Sequence, residues 1–366
     1  MKANPSQPWI YSAKVDLSFV ILPAFLVMAL IVFLQEYVAR FESMPAWLWL
    51  ALIVGVDVTH VYSTLFRTYL DKEELQQRQA MYLLTPLLAW VAGCLLYSLD
   101  SMIFWRALAY LAVFHFVRQQ YGFMMLYGRK DAAQFKSIDK LAIYSSTLYP
   151  LIYWHCHERN FDWFIAGDFF KLDSPVIGNF AGAAYVAVLA IYVIKELLVW
   201  RQSRHINWPR NLILLGTALS WYVGIILFNN DLAFSAINVV SHGIPYLALI
   251  WIYGRNQGEL QGPETTYRFP WVAKAFRRGW VMFYLGILFL WAYFEENLWD
   301  GLIWREHGAI LFFADALPAI QSEQTLIWLV PLLSMPQVTH YVLDAFIWRM
   351  KPGNTPWNKI LFLHAR

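Results

Sequence analysis

The sequence predicts an all-α, polytopic membrane helix bundle of about ten transmembrane helices. Three observations carry that prediction. Of the 366 residues, 59% are hydrophobic and only 14% are charged, against about 25% charged in soluble domains. The hydrophobic excess is spread along the whole chain rather than confined to one segment. The 19 Trp and 21 Tyr suit a protein with aromatic belts at two membrane interfaces. The chain reads as a single transmembrane domain over residues 1–366, with no separate soluble domain and no low-complexity segment.

Apolar runs of about 20 residues are long enough to cross a bilayer. Ten follow one another, at roughly 16–38, 46–66, 81–99, 102–127, 139–154, 176–200, 209–228, 232–253, 279–295 and 325–348. The first, Leu17 to Val38, is too long for a signal-peptide core and lacks a small-residue cleavage site, so it reads as a true first helix. Lys14 and Asp16 open it as an interface anchor. The mixed-charge stretch Arg67 to Arg78 reads as a solvated loop or helix extension. The fifth run is short and ends at His155-Cys156-His157, which reads as a solvated loop. Gly308 to Ile320 reads as an interfacial or re-entrant piece. Cys94 and Cys156, the only cysteines, suggest neither a disulfide framework nor a thiolate zinc site.

Lysine and arginine set the orientation. The segments before span 1 and after spans 2, 4, 6, 8 and 10 hold 21 of them, from Lys2 through Arg67, Arg129, Arg255 and Arg349 to Lys351 and Arg366. The other loops hold four: Arg40, Arg159, Lys171 and Arg305. Those loops are instead acidic, as at Glu295, Glu296, Asp300 and Glu306. Both termini are therefore expected in the cytoplasm, with the protein in a bacterial inner membrane. The net charge of +3 gives no reason to expect a nucleic-acid partner.

Four histidines lie inside these spans, each with an acid or amide one helical turn away. Asp57 precedes His60 by three residues, and Gln119 follows His115 by four. Asn238 precedes His242 by four, and Asp344 follows His340 by four. Such spacings put both side chains on one face of a helix. Spans 2, 4, 8 and 10 all run from outside to inside, ending at Arg67, Arg129, Arg255 and Arg349. Counting back 7, 14, 13 and 9 residues places the histidines roughly 10–21 Å from the cytoplasmic face. They can share one layer.

One intramembrane His–Asp pair is ordinarily a structural hydrogen bond between helices. Four at one depth point to chemistry, because ionisable groups in a membrane are expensive. Imidazole with carboxylate suits iron, with manganese and zinc as other fits, and open positions on such a site suit oxygen activation. Asp57 and Asp344 either bind one or two metal ions directly or orient the imidazoles from behind. Gln119 and Asn238 are poorer ligands and read as hydrogen-bond partners. Arg118 can pair with Asp57 or Asp344, or hold an anionic headgroup, with Tyr121 beside it. Pro245 and Pro336, near His242 and His340, can kink their helices beside the site. Haem fits less well, since no span carries two histidines at different depths and a bis-His haem leaves two histidines unexplained.

The strings Asp57-Val-Thr-His60-Val-Tyr, His115-Phe-Val-Arg118-Gln119-Gln-Tyr121 and His340-Tyr-Val-Leu-Asp344 resemble a family of bacterial polytopic membrane proteins, some described as β-carotene oxygenase-like. More broadly the chain is similar to histidine-rich membrane oxygenases, among them fatty-acid desaturases and hydroxylases and the Brp/Blh carotene-cleaving proteins. It departs from the desaturases in having no H-x-x-x-H and no H-x-x-H-H box, so no catalytic residue carries over from them.

The leading expectation is a membrane-embedded, non-haem iron oxygenase or oxidase. Its substrate is lipid-soluble: a fatty acyl, carotenoid or other isoprenoid, or quinone chain, drawn from the membrane lipids. His60, His115, His242, His340, Asp57 and Asp344 form the metal site. Arg118 and Tyr121 serve the reaction, and Gln119 and Asn238 support the ligands. With no phosphate loop or dinucleotide fingerprint in the chain, any electrons that the reaction requires come from an external donor. The alternatives are a non-enzymatic proton or ion pathway and an assembly factor of a membrane complex.

Overall fold

The structure is a computed structural model that describes residues 7–41, 44–131, 135–262, 266–349 and 356–365. Among these there is no strand, only an isolated backbone bridge between Asp71 and Tyr267. Ten long helices follow in order: α1 (Ala13–Phe33), α2 (Ala46–Arg67), α3 (Gln79–Leu99), α4 (Ser101–Tyr127), α5 (Lys136–Cys156), α6 (Pro175–Ser203), α7 (Trp208–Leu227), α8 (Asp231–Gln261), α9 (Val281–Trp304) and α10 (Glu323–Ile347). All but α4 and α5, eight in all, are long and apolar enough to cross a membrane. α4 and α5, with 27 and 21 residues, match them in length but carry more polar side chains, such as Arg118, Gln119 and Gln120 in α4 and Lys136, Asp139 and Lys140 in α5. The protein is a multi-pass, all-α membrane protein. Lys2, Lys351 and Arg366, used above for orientation, lie outside the described residues.

The chain divides into two compact units interleaved in sequence: residues 1–43, 116–245 and 362–366 form one, residues 44–115 and 246–361 the other. The division falls within α4 after His115 and within α8 after Pro245.

In the first unit α5 packs against α6 and α7, and α7 against α1. α6 turns Val176, Phe180, Val186 and Ile194 outward, a surface suited to lipid and not to water. Asp16 is not an interface anchor. It is fully buried, and its carboxylate accepts backbone N–H bonds from Ile10, Tyr11 and Ser12, closing the turn that leads into α1. His155 is likewise buried at the end of α5, its Nδ1 2.6 Å from the Leu151 carbonyl oxygen, and not part of a solvated loop.

In the second unit α9 packs against α2, and α10 against both α2 and α3. Gly93 permits the α3–α10 approach, since a Cβ there would sit 2.7 Å from Pro331 Cβ; small residues serve this purpose in membrane helix pairs. Leu83, Leu84, Leu87 and Leu88 of α3 face outward. The segment after α2 is not a solvated loop. Arg67 and Asp71 are almost wholly buried there, Arg67 donates to Glu74 at 2.7 Å, and Tyr82 donates to the other Glu74 oxygen at 2.7 Å. Gly308 to Ile320 is irregular, with a short 3₁₀ turn at Ala314–Ala316, and is tied to α9 by the Tyr293 hydroxyl and the Leu302 carbonyl.

Two departures from regular helix bear on function. The nine residues Leu50–Val58 of α2 are π-helical, and regular α-helix resumes at Thr59. π-Helix is rare and concentrates at functional sites. α10 is interrupted at Ser334, and Pro336 follows at the start of its second piece, Met335–Ile347. Proline has no N–H to offer the preceding turn, so the backbone ladder opens there.

Candidate metal centre

In the second unit three histidines from three helices meet. His60 of α2, His115 of α4 and His340 of α10 are each no more than 2% exposed. Their ring centroids are 4.5 Å apart for His115–His340, 4.9 Å for His60–His340 and 6.4 Å for His60–His115. Each offers a nitrogen, and these nitrogens lie within 4.8 Å of one another. The closest approach is His340 Nε2 to His115 Nε2, 3.0 Å. Ligand nitrogens at about 2.0–2.1 Å from one metal ion stand roughly 3–4 Å apart, a spacing that the His115–His340 pair has.

The other ring nitrogen of each imidazole faces an oxygen. His340 Nδ1 is 2.6 Å from Thr64 Oγ1, which is in turn 3.0 Å from the Tyr246 hydroxyl. His115 Nδ1 is 3.5 Å from Asp344 Oδ2, and His60 Nδ1 is 3.6 Å from Asp57 Oδ1. An oxygen behind the ring fixes both tautomer and orientation of a ligand histidine. Aromatic rings complete the walls. Tyr341 stacks on His115, and Tyr246 stands edge-on to both His60 and His340.

Some predicted partners are exchanged. Asp344 faces His115 across the helix pair instead of His340 one turn back on its own helix, because Thr64 of α2 already occupies the His340 Nδ1. Asp57 remains beside His60, but the π-helical turn holds it beyond hydrogen-bond distance.

The remaining predicted residues lie in the first unit. His242 of α8 is fully buried and its ring stacks on Phe116 at 3.8 Å. One helical turn later on α8 comes Tyr246. Gln119 bonds to neither its own-helix histidine nor any imidazole; its amide donates to the His242 backbone carbonyl at 2.7 Å. Asn238 donates to the Phe234 carbonyl one turn back, not to His242. Arg118 lies in α4 of the same unit. Its guanidinium donates to the Tyr144 hydroxyl at 2.9 Å and lies over the Tyr121 ring.

Sequence reasoning missed Thr64, Tyr246 and Tyr341. Thr64 follows His60 by four and Tyr246 follows His242 by four, so extending the one-turn search from acids and amides to hydroxyls would have found both. It also placed Glu295 in an outer loop. α9 continues past it to Trp304, and Glu295 is buried with Tyr62 and Trp299 as its polar neighbours.

Comparison with protein-family models, with curated proteins and with solved structures finds no match.

Proposed function

We propose that this protein is a metal-dependent membrane oxidoreductase, an oxygenase or oxidase of a lipid-soluble substrate, seated in a bacterial inner membrane with ten crossings and both termini in the cytoplasm. The observation that carries the reading is the convergence of buried imidazoles whose far nitrogens each face a supporting oxygen. Polar groups at membrane depth are costly, and a site this concentrated serves a function.

The donors in the second unit are His60, His115 and His340; His242, the fourth histidine of the sequence pattern, sits one turn before Tyr246 on α8. Nitrogen donors of this kind suit iron, with zinc and manganese as other occupants. When bound, the metal supplies the activation of dioxygen that oxidation of an unactivated hydrocarbon requires. The chain's own residues do the rest. Thr64 holds the His340 imidazole in place, and the carboxylates of Asp344 and Asp57 face the imidazoles of His115 and His60. Tyr246 and Tyr341 wall the site with carbon and limit water. Arg118, held by Tyr144 with Tyr121 beneath it, balances charge or binds a polar group of the substrate. A separate electron donor serves any reaction that needs electrons.

A second reading, a proton or ion pathway, draws on the buried Glu295 carboxylate. Metal analysis of detergent-purified protein separates the two. The expected result is about one to two metal ions per chain, falling to near none in His60→Ala and His340→Ala and unchanged in His205→Ala. Less than about 0.5 ion per chain, insensitive to both site substitutions, leaves the pathway reading standing and removes the enzyme.

A further inference from the structure

A cavity of about 300 Å³ lies among α2, α3 and α10 in the second unit, at the lower end of the range for small-molecule pockets. Its walls are almost entirely carbon. Val61 and Leu65 of α2, Pro86 of α3 and Leu343 of α10 line it, and His340 forms part of its wall. Two prolines account for the space. Pro86 sits inside α3, and Pro336 follows the interruption of α10, so neither helix presents a regular packing ridge here. The residues flanking Pro86 on α3, among them Leu84 and Leu88, are exposed on a membrane-spanning helix. The medium beside the cavity is therefore lipid.

Among the described residues, one polar group in the wall has no partner. Thr339 is 8% exposed, lines the cavity, and its hydroxyl makes no hydrogen bond to any described residue. Helical threonines at depth usually bond back to their own helix, as Thr59 does to the Val54 carbonyl and Thr68 to the Thr64 carbonyl. Thr339 is also the immediate neighbour of His340.

We propose that this cavity takes a single apolar chain from the lipid phase, with one hydroxyl or carbonyl oxygen hydrogen-bonded to Thr339. The oxygen function then lies beside His340 and the hydrocarbon extends toward α3. This names the substrate class of the site described above and rests on that reading for the reaction; binding of the chain itself needs no metal.

The test is photolabelling of the detergent-purified full-length protein with a long-chain alkanol bearing a diazirine, with labelled peptides mapped by mass spectrometry. Label is expected on Val61–Leu65 and on Met335–Leu343. Excess hexadecanol or an all-trans prenol competes, and the better competitor identifies a straight or an isoprenoid chain. Thr339→Val is expected to weaken labelling roughly two- to tenfold, with Thr339→Ser restoring it. Leu343→Trp, or Val61→Phe where the former does not fold, is expected to abolish it. Label confined to outward residues such as Leu84 and Leu88, or unchanged in Thr339→Val and in the filled-cavity variant, overturns the proposal. The same preparations are assayed for metal. Labelling without metal removes the metal reading alone, and metal without labelling removes the chain-binding proposal alone.

Discussion

The two units each bury a polar cluster, and the clusters differ in kind. In the first unit Lys195 and Arg210 lie among Asp139, Glu196 and Asp131. Asn211 and Asn207 donate to the same carboxylates. Every charge has an opposite charge against it. In the second unit His60, His115 and His340 face one another with nitrogens only, and the nearest pair stands at 3.0 Å. Two neutral imidazole nitrogens share at most one proton between them. Charges that satisfy each other hold helices together; lone pairs that converge suit a cation. The difference teaches that burial of polar groups does not by itself mark a functional site. What sets the second cluster apart is a group of imidazole nitrogens turned toward one another.

That comparison can be broken from either side. The largest effect is expected in the first unit. Arg210→Met leaves Asp139, Glu196 and Asp131 with one cation fewer, and breaking a buried pair costs about 3–5 kcal/mol. Denaturation in mixed micelles should show that loss, while metal per folded chain stays at the wild-type value. A variant that instead lost metal and kept its stability would reverse the assignments of the two clusters.

A smaller effect is expected at Thr64. Thr64→Val preserves shape but removes the oxygen from His340 Nδ1. Metal affinity should fall roughly 10- to 100-fold, read by competition with a chromogenic chelator, while the melting temperature of the metal-free protein changes little. Unaltered affinity would mean that the hydroxyl supports packing alone.

The smallest effect concerns a second satisfied cluster, at the end of α2. Burial raises the Glu74 carboxyl, but the Arg67 charge and the hydrogen bonds from Arg67 and Tyr82 outweigh it and hold the group below its ordinary value. A carboxyl lowered on folding stabilises the fold above its unfolded pKa of about 4.3, and the contribution disappears as pH falls through the lower folded value. The melting temperature should therefore decline with acidification below that range. Glu74→Gln should be less stable at neutral pH and show less of that decline. A Glu74→Gln profile parallel to wild type would show that Glu74 contributes nothing to the acid sensitivity.

Much of this was legible in the chain itself. Runs of Leu, Val, Ile and Phe near twenty residues long leave no choice but helix, because lipid offers no hydrogen-bond partner to an open backbone. All ten predicted runs are helical. The histidines, too, were visible as costly residues at depth. The partners were less so. A one-turn spacing states which side chains can meet along one helix and says nothing of the neighbour that competes for them. Asp344 and Gln119 were both claimed by other helices or by backbone.

The all-helical membrane architecture and the candidacy of His60, His115, His242 and His340 are therefore legible in the chain alone. Both follow from local transfer energetics, which depend on composition and periodicity. Only the tertiary structure decided which oxygen stands behind each imidazole, that Thr64 serves His340, that Glu295 is buried, and that the broken turn of α10 leaves a cavity at Thr339. Those outcomes depend on which helices pack together and how far each can rotate, and a local pattern in one helix carries no record of its neighbours.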